Sequence, residues 1–167
     1  ALEFAVYEVI GWRVRRGAPA VAISTRPADG RWFDAIPEVI ADVRGDGVDD
    51  MIKRIDQAAR GYPYMNEYTV WPGPNSNTFT AHVARAVPEL KLDLPPTAIG
   101  KDYLPGGSLV AKTPSGTGMQ ISLAGLLGIM VGKEEGVEIN LLGLTFGLDP
   151  LDFAVKLPMA GRIGGSS

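Results

Sequence analysis

The chain has 167 residues, 46% apolar and 21% charged, enough for one globular domain with a core. A formal charge of -3 with scattered basic residues gives no electrostatic reason to bind nucleic acid. The absence of cysteine excludes disulfides and thiolate chemistry, and a single histidine, His82, does not make a zinc site. No EF-hand spacing is present either, so neither metal nor cofactor is expected.

The chain begins at Ala1, and residues 7–14 already read as a strand. The expectation is therefore a single domain over residues 1–160 that lacks its N-terminal part, followed by a loose tail over 161–167. Residues 7–14 and 20–25 form a β-hairpin pattern around the turn Arg16-Gly-Ala-Pro19. Arg13, Arg15 and Arg16 on the first strand read as a solvated face. A second turn, Pro27-Ala-Asp-Gly30, precedes the aromatic pair Trp32-Phe33. Val48, Met51, Ile52, Ile55 and Ala59 then recur at helical spacing, with Asp49 and Asp50 in the first turn and Gly61 past the end.

Residues 67–71 read as a short strand ended by Pro72-Gly-Pro74. Phe79, Val83, Ala86 and Val87 carry the apolar stripe of a second helix, which Pro88 stops. Asn75, Ser76 and Asn77 fall at its N-terminus, where side-chain oxygens cap free N–H groups and an anion is favoured. Residues 94–107 look irregular. Residues 120–131 and 137–148 read as the two β arms of a hairpin across Lys133-Glu-Glu-Gly136, whose glutamates are expected in solvent. The glycines in these arms, at 128, 132, 143 and 147, fit close backbone approach in a sheet. Residues 121–131 are too few for the ~20 of a spanning helix. The fold class is α+β: an antiparallel sheet with two main helices.

Three clusters could carry chemistry. Ser76 is the candidate nucleophile, but His82 lies six residues on along the same helix and faces elsewhere, so it is not a base for Ser76. Residues 106–113 nearly fit a phosphate-binding loop, yet Ala111 replaces a required glycine and Pro114 forbids the following helix. Lys101 and Asp102 read as an exposed ion pair, or else reach back to a cleft beside the Asn-Ser-Asn turn. No two carboxylates are expected to share a site.

Tyr7-Glu-Val-Ile-Gly-Trp12, Trp71-Pro-Gly-Pro-Asn-Ser-Asn-Thr-Phe79, Leu94-Pro-Pro-Thr-Ala-Ile-Gly-Lys-Asp-Tyr103 and Asn140-Leu-Leu-Gly-Leu-Thr-Phe146 closely resemble the bacterial domain of unknown function 3750, over nearly the whole chain. That family has no established activity. The resemblance implies a longer N-terminus with a hydrophobic leader and an upstream histidine, and a place in the bacterial cell envelope on the periplasmic side. Membrane association would then come only through a segment absent from this chain.

Asn75-Ser-Asn-Thr-Phe79 also resembles the nucleophile turn of circularly permuted papain-like proteins of the NlpC/P60 and lecithin:retinol acyltransferase type, with Ser76 in place of cysteine. Serine is far less acidic than cysteine, and the required histidine is missing. The favoured expectation is a non-catalytic or degenerate papain-like module. It would bind a glycan, peptide, small molecule or anionic group through Trp71, Asn75, Asn77, Lys101 and Asp102. The alternative is an amide or ester hydrolase, or an acyltransferase, with Ser76 as nucleophile and a histidine from a missing strand.

Overall fold

A computed structural model describes residues 4–27, 30–31 and 34–165. The expected turn at 27–30 and the pair Trp32-Phe33 fall largely or wholly outside the described residues. Among those described, strand β1 (Phe4–Val9) pairs antiparallel with β2 (Val21–Arg26), as the hairpin pattern implies. The first arm is shorter than expected, because the chain leaves β1 at Ile10 and turns once as helix α1 (Gly11–Arg15). The arginines of that arm therefore sit on a helical turn.

Helix α2 (Val48–Arg60) follows the apolar periodicity and turns Met51 and Ala59 inward. Helix α3 (Ser76–Ala86) packs along it and ends just before Pro88, which lacks the N–H needed to continue. Val9, Val21, Ala59, Tyr62 and Phe79 form the core between the hairpin and these helices. The strand expected at 67–71 does not form. Val70 and Trp71 are exposed in a bend held by the Thr69 N–H donating to the Pro74 carbonyl at 2.8 Å.

The rest is one antiparallel meander of seven strands in sequence order. They are β3 (Val110–Lys112), β4 (Met119–Leu123), β5 (Leu127–Gly132), β6 (Gly136–Leu141), β7 (Leu144–Asp149), β8 (Ala154–Leu157) and β9 (Gly161–Gly164). Each expected arm is thus itself a hairpin, turned at Ala124-Gly125 and at Leu142-Gly143. Leu142 and Gly143 have φ of 54° and 88°, the signs a two-residue type I′ turn requires. The expected loose tail begins instead with β9, paired to β8 from Gly161 to Gly164.

The sheet has its usual sidedness reversed. Alternation along each strand puts polar residues inward and aliphatic ones outward. Across β3 to β9 the inward middle row reads Ala111, Gln120, Met130, Glu138, Gly147, Lys156 and Arg162. Outward, Met119, Val131, Val137, Leu148, Val155 and Ile163 share one row, and Ile121, Ile129, Ile139, Phe146 and Leu157 the next. From β4 to β8 every outward residue is aliphatic or Phe146, each between 36% and 61% exposed.

Candidate functional site

Asn75 organises the entrance of α3. Its Oδ1 accepts the N–H groups of Asn77 and Thr78 at 2.9 and 3.2 Å, while Thr78 Oγ1 accepts the Asn75 N–H at 3.1 Å. This closes a capping box. Asn75 Nδ2 donates to the carbonyls of Val70 and Ile99, at 2.9 and 3.0 Å, and Asn77 Nδ2 donates to Ile99 at 2.8 Å. Gly100 has a φ of +99°, and a Cβ there would run into the Asn75 amide, so only glycine lets that amide reach Ile99. The turn is thus internally saturated, with Asn75 and Asn77 holding two loops to the helix rather than presenting free groups.

Ser76 alone of the three lines a cavity of about 520 Å³, between β1–α1 and the start of α3. Val9, Ile10 and Phe79 give it an apolar wall, and Tyr7, Trp12 and Tyr68 bring aromatic rings. Glu8 and Arg15 bring charge. The Glu8 carboxylate is neutralised from behind by Arg26, whose Nη2 reaches both oxygens at 2.8 and 2.9 Å. Arg13 donates to the Pro19 carbonyl, and the Arg16 guanidinium lies 4.8 Å from the Trp12 ring centre. That leaves Arg15 with no ion-pair partner among the described residues. Ser76 N–H also finds no acceptor there, which leaves one backbone donor free at the positive end of α3, on a residue that lines the cavity. Gly11 fits beneath Tyr68, where a Cβ would stand 2.5 Å from the ring.

The structure separates the other expected site residues from this cavity. Trp71 is half-exposed and donates from Nε1 to the Leu142 carbonyl at 3.0 Å, tying the Asn-Ser-Asn turn to the β6–β7 hairpin. Lys101 and Asp102 are not an exposed pair: they are 1% and 6% exposed, beneath the polar face of the sheet. There Lys101 Nζ bonds Glu138, and Glu138 bonds Lys156 Nζ at 2.7 Å. Lys156 also takes both oxygens of Asp93 at 2.8 and 2.7 Å. Carboxylates do share a site, then, with two ammonium groups between them. Glu135, expected in solvent, is buried and accepts from Ser115 N–H and Oγ, both at 2.9 Å.

Gly147 makes the Glu138–Lys156 bridge possible. It lies between them in register, and a Cβ would come within 3.0 Å of Glu138 and 3.2 Å of Lys156. Burial pulls the Lys101 ammonium down, but Asp102, Glu138 and Asp93 outweigh it and hold it above its ordinary value. Burial pushes Asp93 and Asp102 up against the opposing pull of the lysines. The residues 106–113 form a 3-10 turn and β3, with no helix after them.

His82 faces α2, where Nε2 donates to the Ala58 carbonyl at 3.1 Å, one of the free carbonyls of the last turn. Burial lowers its pKa below the ordinary value. A histidine depressed in the folded state binds fewer protons there than in the unfolded chain, so its contribution to stability is lost as pH falls below about 6.5. Urea unfolding at pH 7.5 and 5.5 should show lower stability at the acidic value, and His82→Gln should flatten that difference. An unchanged pH dependence in the variant would remove His82 as its source.

Of the cavity residues, Arg15 reads from sequence only as part of a solvated run and Trp12 only as the end of a resembling motif, and nothing there marks Tyr68 as lining a site. The one signal was the Arg13, Arg15, Arg16 run, whose division of labour depends on the helical turn after β1.

The chain matches the family model described as "Protein of unknown function (DUF3750)" over residues 1–103. No curated protein and no solved structure matches. The match takes in the hairpin, the cavity and α3, and three of the four resembling motifs; Asn140–Phe146 lies beyond it. Covering more than half of the sequence, it establishes that the chain belongs to the DUF3750 family.

Proposed function

We propose that the chain is a non-catalytic binding module whose cavity beside Ser76 receives a small molecule or peptide bearing a carboxylate or phosphate. The observation that carries this reading is the union, in one cavity of about 520 Å³, of a guanidinium with no ion-pair partner among the described residues, a helix N-terminus and aromatic walls. Arg15 and Ser76 N–H supply donors for an anion, and Trp12 and Tyr68 supply surface for an apolar or glycan body. A bacterial envelope setting on the periplasmic side, and a degenerate papain-like origin, rest on the sequence resemblances.

N-acetylphenylalanine and its neutral amide are suitable probes, read by Trp12 fluorescence or calorimetry. The carboxylate should bind about tenfold tighter than the amide, the worth of one charge-assisted hydrogen bond. Arg15→Ala should erase the difference. Equal binding of both probes to the unaltered protein would refute an anion site.

A hydrolase or acyltransferase reading draws support from Ser76, a cavity-lining residue that carries both a hydroxyl and a free backbone N–H, the pair that a nucleophile with its own oxyanion donor would require. It lacks a base among the described residues, because His82 is held on α2 and Glu8 is clamped by Arg26. Fluorophosphonate labelling abolished by Ser76→Ala would favour catalysis; no labelling of either protein would count against it.

A further inference from the structure

The outward face of the meander has the composition of a protein interior. In most two-layer folds the apolar face of a sheet is the covered one. Here the residues 92–104 and Arg85 occupy the polar face through Lys101, Asp93 and Gln120, and the aliphatic rows stand open. Among the outward strand residues only Lys112 is charged, and it sits at one corner of the face, opposite Met119.

We propose that this face is the dimer interface of the protein, covered by the same face of a second copy in a β-sandwich. Seven strands ~4.8 Å apart, about five residues long at ~3.3 Å each, give a flat footprint of roughly 500 Å². Side-chain relief raises the accessible area toward the ~800 Å² per partner of a stable complex. Two such sheets pack face to face ~10 Å apart, their side chains interdigitating, without any charged group at the centre. A two-fold axis makes the contact isologous, so one patch suffices for both partners.

A lipid bilayer fits less well. Strands of three to six residues fall short of the ~9–11 needed to span. Open edges at β3 and β9 would leave backbone groups unpaired in hydrocarbon. A sandwich leaves both edges in water.

Ile139 marks the geometric centre: β6 is the fourth of seven strands, and Ile139 stands between Ile129 and Phe146 in the middle outward row. A two-fold that lays the face on itself brings Ile139 near its own copy. The chain has no cysteine, so Ile139→Cys introduces a single thiol. Mild oxidation should convert it to a covalent dimer, whereas Trp12→Cys, whose thiol is outside the face, should form no disulfide-linked dimer under the same oxidation. Sedimentation of the unaltered chain should give a dimer, and Ile139→Glu, a charge in water in the monomer but buried in the sandwich, should weaken it at least a hundredfold. Circular dichroism of that variant should be unchanged. A chain that sediments as a monomer at all concentrations overturns the proposal, as does a dimer that survives Ile139→Glu. So does capture by phosphatidylcholine vesicles with no self-association.

Discussion

Glu138→Gln is expected to lower the free energy of unfolding by about 3–5 kcal/mol, the usual loss when one member of a buried ion cluster is removed. The carboxylate is 1% exposed and stands between two ammonium groups, Lys101 and Lys156, which are themselves 1% exposed. Glutamine keeps the shape but removes the charge, and one lysine then faces an amide N–H₂ group. Asp93 still answers Lys156, and Asp102 lies 4.0 Å from Lys101, so the effect belongs in the lower half of the range. For a chain of this size that is a Tm decrease of roughly 6–16 °C.

A companion variant distinguishes unpaired charge from lost shape. Glu138→Leu combined with Lys101→Met, Lys156→Met, Asp93→Asn and Asp102→Asn replaces the cluster with neutral groups, and should lie closer to the unaltered protein than Glu138→Gln does. Urea titrations of both decide the matter. A loss under about 1 kcal/mol for Glu138→Gln would mean that water reaches the cluster and that it is worth no more than a surface pair. The raised carboxylates also fix a sign. Asp93 and Asp102 bind protons more readily folded than unfolded, so their contribution falls as pH rises through their titration range, opposite to that of His82.

That cluster shows where the sequence stops being legible. Alternation in residues 119–148 says which residues share a face, and the structure follows it save at Met130, an apolar residue placed inward between Gln120 and Glu138. Alternation does not say which face is covered. The ordinary expectation sends aliphatic residues inward, and here Glu138 and Lys156 go inward instead. Lys101 meets Glu138 across 37 residues of sequence, a separation that no local pattern reports. The hairpin turns were equally silent, since Ala124 and Leu142 occupy positive φ at positions where asparagine or glycine would have announced a turn. Both helices were readable because period, first-turn acids at Asp49 and Asp50, and stop signals at Gly61 and Pro88 agree with one another. The cavity lay between. Ser76 was visible as a helix-entrance residue, but its neighbours Arg15 and Trp12 depend on α1, a single turn with no apolar period to betray it.

The helix entrance supports the second large effect. Asn75→Ala should cost about 2–4 kcal/mol: roughly 1 for the lost cap, and about 1–3 for the Val70 carbonyl deprived of its donor, the Ile99 carbonyl keeping the bond from Asn77 Nδ2. Asn75→Asp separates the two halves of that figure. Aspartate keeps the oxygen that caps Asn77 and Thr78 but turns a carboxylate oxygen toward those carbonyls, so the cap survives while the loop anchors repel. If anchoring dominates, Asp is no better than Ala, and the ligand affinity of the cavity falls with it, because Ser76 moves with the loops. If capping dominates, Asp restores most of the stability. Asn77→Ala removes only the outer bond to Ile99, which Asn75 also satisfies, and should cost under about 1 kcal/mol. Equal losses at positions 75 and 77 would show that the entrance is held by something other than the Asn75 side chain. The ranking matters for function because a well-bonded turn is rigid: it fixes Ser76, whose N–H has no acceptor among the described residues, at the cavity wall, and the proposed anion would then meet a donor already in place.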